Sequence, residues 1–146
     1  MSAAMKGDSY QVIWLIRRLF RAMSQKSSEY IEEFGISVAD RAVMEFLYPD
    51  KMLSVPEIAE KYQVSRQHVQ TTVNALSELK LLTSRDNPRH KRSPLIMLST
   101  KGRGLFDSVL KQDEQVIKAL FAGISNNNVH VTRQTLQTLL DKISGD

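Results

Sequence analysis

From Ser54 to Arg92 the chain reads SVPEIAEKYQVSRQHVQTTVNALSELKLLTSRDNPRHKR, and this stretch restricts the fold more tightly than any other. Its first part has the spacing of two short helices joined by a tight turn. Ala59 and Tyr62 sit on the first and Val64 marks the turn. Ser65 is an N-cap for the second helix, along which Val69, Val73 and Leu76 recur at helical spacing. The opposite face of that second helix carries Gln67, Gln70, Thr71 and Asn74. Amide and hydroxyl side chains pair well with base edges and pack poorly in a core. A basic, proline-bearing loop between two short apolar runs follows, which suits a β-hairpin. The spacing therefore predicts a helix-turn-helix with a hairpin wing, a module suited to DNA.

The charge distribution points the same way. The net charge over 146 residues is only +4. From Lys61 to Arg103, however, nine Lys or Arg face two acids, Glu78 and Asp86, for a net +7, while the remainder holds eleven bases against fourteen acids, or −3. Positive charge concentrated on one motif favours a phosphate backbone as partner. A charge-rich hairpin that is merely solvated is the alternative. At 42% hydrophobic and 25% charged residues the chain can bury a core. No apolar run reaches 18 residues, so no membrane span is expected, and MSAAMKGDSY has no secretory h-region. With no cysteine, disulfides and thiol redox switching are excluded, and a cytoplasmic protein is expected.

The remaining elements are arranged around the module. Residues 8–34 carry Val12, Ile16, Leu19, Phe20, Met23, Ile31 and Phe34 on a helical stripe, with Gly35 as stop. About 25 residues make roughly 37 Å of helix, more than a small module needs to cover itself, so this helix is expected to reach a second subunit. Ser37 caps a second helix, with Asp40 in its first turn and Pro49-Asp50 at its end. Ser54-Val-Pro-Glu57 is a capping box that opens a third helix, running to about Tyr62. Leu81-Leu82 and Leu95–Leu98 flank the cationic tip Arg85–Arg92 as wing strands. Ser99 or Thr100 caps a fifth helix that ends at Gly123. The Asn126–Asn128 run is a loop or a helix start, and a last helix bears Leu136, Leu139, Leu140 and Ile143. The fold class is mainly α with a small β-hairpin wing. One domain over 1–146 is expected, with the winged helix-turn-helix at 36–104 and dimerisation helices at 8–35 and 105–146.

The pattern Ala59-x-x-Tyr62-x-Val64-Ser65-x-x-x-Val69-x-x-x-Val73-x-x-Leu76 resembles the two helix-turn-helix elements of the MarR family of winged helix-turn-helix transcriptional regulators. Asn87-Pro88-x-x-Lys91-Arg92 and Leu98-Ser-Thr-Lys-Gly102 are similar to that family's wing and the start of its next helix. Three positions depart from the family pattern. Lys80 stands where glycine is frequent, Ser84 where arginine is frequent, and His90 where an aspartate usually braces the wing arginine. A histidine cannot form that carboxylate pair with Arg92, although when protonated it can meet phosphate itself.

The resemblance implies a homodimer that sets two copies of helix 65–79 in successive major grooves of double-stranded DNA, on a pseudo-palindromic operator. Ser65 and Thr71, flanked by Arg66, are candidates for phosphate contacts, and Gln67, Gln70 and Asn74 for base edges. Arg92, with Arg89, is a candidate for the minor groove, and Lys91 adds to the cationic tip. The resemblance further implies a repressor relieved by a small, often aromatic, ligand held between the dimerisation helices and the winged domain, with Trp14, Arg17 and Met44 as candidate lining. Trp14 as a packed core or dimer-interface aromatic stands ahead of that ligand role. Histidines 68, 90 and 130 lack metal-ligand spacing, and no cofactor is called for. No Gly-rich phosphate loop, nucleophile elbow or acid–base constellation suggests an enzyme. The competing class is a winged helix turned to protein–protein contact without sequence-specific DNA binding. The polar helix face and the +7 segment weigh against it.

Overall fold

Two capping boxes set the ends of the helices that carry the module. Ser37 Oγ accepts from Asp40 N at 3.1 Å while Asp40 Oδ2 accepts from Ser37 N at 2.9 Å. Ser54 and Glu57 repeat the arrangement, with proline in the first turn behind them. Each box satisfies backbone donors that a helix start leaves unpaired. The computed structural model describes residues 2–145. Among these it has a 3₁₀ turn at Ala3–Lys6, then α1 (Asp8–Ile31), α2 (Val38–Leu47), α3 (Val55–Tyr62) and α4 (Arg66–Glu78). A hairpin of β1 (Leu82–Arg85) and β2 (Leu95–Leu98) precedes α5 (Thr100–Leu120) and α6 (Asn126–Ser144). This is the mainly helical, winged architecture the sequence predicts. α1 ends slightly earlier than its apolar stripe: Glu32–Phe34 tighten into a 3₁₀ turn before Gly35 leaves in the left-handed region at φ 77°. Asn126–Asn128 open α6, with Ser125 as the cap.

The chain forms two compact units, one up to Val109 and one from Leu110 onward. In the first, Met44 and Leu47 of α2, Ile58 of α3, Val69 and Leu76 of α4, and Phe106 of α5 are fully buried, joined by Leu81 just before the hairpin and Leu98 of β2. Each such side chain removed from water contributes about 1.5–3 kcal/mol. β1 and β2 pair antiparallel with Leu82 opposite Leu98 and Arg85 opposite Leu95. A third segment joins them. Leu53, just before α3, exchanges both backbone hydrogen bonds with Ile96, at 3.0 and 2.7 Å. The start of α5 lies against the end of α4. Ser99 N donates to Leu81 O at 2.9 Å, Ser99 Oγ to Lys80 O at 2.7 Å, and Lys101 Nζ to Leu79 O at 3.1 Å. At the other side of α2, Tyr48 packs on Phe106 with ring centroids 5.2 Å apart and donates its phenol to Asp107 of α5. That hydrogen bond to a carboxylate raises the Tyr48 pKa above its ordinary value, because ionisation would place two negative charges together.

Each unit also leaves large apolar side chains in solvent. On α1 these include Leu15, Leu19, Phe20 and Met23, and Phe20 is 72% exposed. In the second unit they include Ile117, Leu120, Leu140 and Ile143, the last 84% exposed.

Candidate nucleic-acid interface

α4 owes its orientation to its own sequence. Val69, Thr72, Val73 and Leu76 are buried and, at 100° per residue, define one face. Gln67, Gln70, Thr71 and Asn74 are therefore turned to solvent, and all four are exposed. Ser65 Oγ accepts from His68 N at 3.0 Å and caps the helix. Buried Thr72 disposes of its hydroxyl by donating to His68 O at 3.1 Å. The turn before α4 holds Val64 half-buried, and the residue that reverses the chain is Gln63, in the left-handed region at φ 59°. Tyr62 fixes the angle between α3 and α4. Its ring meets Phe46 edge-on at 5.8 Å and stacks toward His68 at 6.4 Å, so His68 is a flank residue that braces the turn.

Three of the outward side chains are already engaged. Gln70 Nε2 donates to Asn74 Oδ1 at 2.8 Å, one helical turn along. Thr71 Oγ1 donates to Gln67 O at 3.0 Å, which leaves it an acceptor for the exterior.

The wing tip is shaped by Asn87, a residue singled out only as part of the wing pattern. Its Nδ2 donates to Ser93 O at 2.9 Å and its Oδ1 accepts from Arg89 N at 3.0 Å. Its carbonyl accepts from His90 N at 3.1 Å, and His90 O accepts from Ser93 N at 3.2 Å. The Asn-Pro dipeptide was the available signal, since asparagine readily bonds its own backbone two residues on. The tip so closed displays Arg89, His90, Lys91 and Arg92 to solvent. Arg66 at the start of α4 joins Arg89 and His90, with Glu57, Met52 and Pro88, around a groove of about 580 Å³. Lys91 and Arg92 stand on the tip outside that groove. The nine residues expected to meet DNA thus fall into an α4 surface, from Ser65 to Asn74, and a wing surface, Arg89, Lys91 and Arg92. Arg66 connects them along the groove.

The three residues expected around a ligand do not form a common open surface. Met44 is fully buried in the core, which an apolar residue at helical spacing in a sequence cannot reveal. Trp14 is 37% exposed, and its ring is covered by Arg18, at 4.6 Å, rather than by Arg17, which is itself exposed. Among the described residues no cluster of three His, Cys, Asp or Glu side chains is placed to hold a metal ion, and no helix is long and apolar enough to cross a membrane.

A family model described as the MarR family matches residues 34–93, which run from the 3₁₀ turn after α1 through the wing tip. Over those residues, which hold the helix-turn-helix and the wing as far as Ser93, the chain matches the MarR family. Uncharacterized proteins of Mycobacterium bovis and Mycobacterium tuberculosis are 31% identical to the chain over 91 residues, 62% of this chain. The chain spans 64% of the length of these curated relatives. Among solved structures, Staphylococcus aureus MarR in complex with salicylate and kanamycin superposes with TM-score 0.86 at 18% identity, covering 99% of both chains. The transcriptional regulator BldR from Sulfolobus solfataricus gives 0.83 at 15% identity, over 97% of this chain and 99% of that one. The S. aureus MepR–DNA complex gives 0.76 at 21% identity, over 88% and 96%. These likenesses extend the MarR fold beyond the matched segment, to nearly the whole chain.

Proposed function

We propose that the chain is a sequence-specific DNA-binding transcriptional regulator, acting as a homodimeric repressor on a pseudo-palindromic operator. The observation that carries this reading is the pairing of two surfaces on one unit. The exposed polar face of α4 stands beside a wing tip carrying Arg89, Lys91 and Arg92, with Arg66 between them. Amides at base edges and cations at phosphates or in a narrow minor groove divide specificity from affinity in the usual way. MepR, of the same fold, has been crystallised with DNA, which supports the reading. The apolar side chains exposed on α1, α5 and α6 support a dimer, since a second copy would remove them from water.

An effector completes the proposal. The fold's S. aureus MarR relative holds salicylate and kanamycin, which supports a small, often aromatic, ligand that shifts the spacing of the two reading heads. In this chain Trp14 and Arg17 are its proposed contacts.

Selection from random duplexes with wild type and Arg92→Ala in parallel tests the proposal, followed by titration at several salt concentrations. A pseudo-palindrome with a steep salt slope, weakened by the wing substitution, is expected. Enrichment of no sequence by the wild type would overturn sequence-specific binding.

A further inference from the structure

The amides of Gln70 and Asn74 are joined on the outward face of α4, and this bond has consequences for what the helix can recognise. Gln70 Nε2 donates to Asn74 Oδ1 at 2.8 Å, and both side chains are otherwise exposed. A free glutamine amide can rotate end for end, offering its oxygen and nitrogen in either order. While Nε2 donates to Asn74 Oδ1, the Gln70 amide presents its ends in one order. Atom by atom, Gln70 then retains Oε1 as an acceptor and one N–H as a donor. In the major groove, adenine presents an acceptor at N7 next to a donor at N6. Guanine presents two acceptors, cytosine a donor, and thymine an acceptor with a methyl group. One acceptor beside one donor satisfies adenine. It leaves guanine with an acceptor facing an acceptor.

We infer that Gln70 reads an adenine in each half-site and that Asn74 is a positioning residue, which acts by holding the Gln70 amide in the orientation adenine requires. The inference rests on the DNA-binding reading above and adds the base and the division of labour between two side chains. Asn74 sits one turn behind Gln70 on a rigid helix whose other face is locked into the core by Val69, Val73 and Leu76. The pair is therefore organised before DNA arrives, and binding does not have to order it.

The experiment uses the full chain and the operator obtained by duplex selection. Affinities are measured for wild type, Gln70→Ala, Asn74→Ala, Asn74→Asp and the double alanine variant. Each is tested on operators carrying all four base pairs at each half-site position. All substitutions are at exposed sites, and thermal unfolding checks that each variant is folded. For the wild type, one position is expected to prefer adenine by about tenfold or more. Gln70→Ala and Asn74→Ala should both flatten that position, and the double variant should be no flatter than Gln70→Ala alone. Asn74→Asp keeps an acceptor for Gln70 Nε2, so it should retain the adenine preference while binding all sequences more weakly through its added negative charge. A G·C or C·G pair at the position that Gln70→Ala relaxes would overturn the inference. So would an adenine preference that survives Asn74→Ala, or one lost in Asn74→Asp. If the wild type selects no operator, the DNA-binding reading itself fails and this inference falls with it.

Discussion

Gly102 and Gly104 lie two residues apart in the first turns of α5, and replacing each with alanine should move stability in opposite directions. A Cβ at Gly102 would stand 2.1 Å from Leu81 O, 3.0 Å from Leu81 C and 3.3 Å from Leu81 Cα. Non-bonded atoms settle near 3.5 Å, so the shortfall exceeds 1 Å and the obstacle is backbone. Leu81 has little freedom to retreat. Its side chain is 2% exposed, its N–H donates to Leu76 O, and its carbonyl accepts from Ser99 N. Relief requires the start of α5 to lift from the end of α4, stretching the bonds from Ser99 N and Ser99 Oγ. Overpacking of this kind costs about 1–3 kcal/mol, and each weakened hydrogen bond adds roughly 0.5–1.5 kcal/mol. The helix-propensity gain of alanine offsets about 1 kcal/mol. With both bonds weakened, the net expectation for Gly102→Ala is a loss of about 1–5 kcal/mol, or roughly 3–20 °C in Tm for a chain of this size. At Gly104 nothing lies within 4 Å of the added carbon and the backbone is ordinary helix, so Gly104→Ala should gain about 0.5–1 kcal/mol. Thermal unfolding followed by circular dichroism, with urea titration as a check, measures both. Equal shifts for the two variants, or a Gly102→Ala protein as stable as wild type, would refute the contact.

Three further outcomes are expected. Lys80 sits in the left-handed region at φ 61°, where a side chain is strained by about 1–2 kcal/mol. After the entropic cost of glycine, Lys80→Gly should raise stability by roughly 0.5–1 kcal/mol in urea unfolding, and a loss would contradict the strain. Ser54→Ala removes the acceptor for Glu57 N from a buried capping box and should cost about 1–2 kcal/mol, measured the same way against Ser54→Asp, which keeps an acceptor. Because the Tyr48 phenol donates to Asp107, its raised pKa contributes stability that is complete below the ordinary tyrosine pKa of about 10 and is lost as pH rises through the folded value. Ultraviolet titration should show Tyr48 ionising at lower pH in Asp107→Asn, and an unchanged titration would refute the assignment.

What the sequence reveals here is mostly what short range determines. Ser37 and Ser54 were readable as caps because a carboxylate three residues on completes each box locally, and Ser65 because its hydroxyl accepts from the backbone three residues on. The outward face of α4 followed from helical periodicity, and the cationic tip from composition. The Gln70–Asn74 bond was accessible in principle from their spacing of four, but two exposed amides at that spacing need not pair. Other features depend on chain geometry with little residue signal. Gln63 occupies a left-handed position without being glycine or asparagine, because the turn it forms is imposed by the packing of α3 and α4; Lys80 does so too, and its only sequence signal was that glycine is frequent there in the family it resembles. Leu53 pairs with Ile96 across more than forty residues, and a single bridging residue leaves no alternating pattern to detect. Met44 shows the limit of periodicity, which identifies an apolar face but does not distinguish a sealed core from a ligand wall.

That Leu53–Ile96 bridge also bears on how an operator can be built. It clamps the returning wing strand to the segment that leads into α3, through two backbone hydrogen bonds. The base of the wing is therefore tied to the helix-turn-helix, which resists hinging of the two surfaces apart. On DNA, each added base pair advances the groove by about 3.4 Å and turns it by roughly 35°. Two surfaces tied in this way resist such a step within a half-site, so the spacing between the bases under α4 and the groove under the wing should be invariant. Tolerance to insertions is expected only at the centre of the palindrome, where two copies meet.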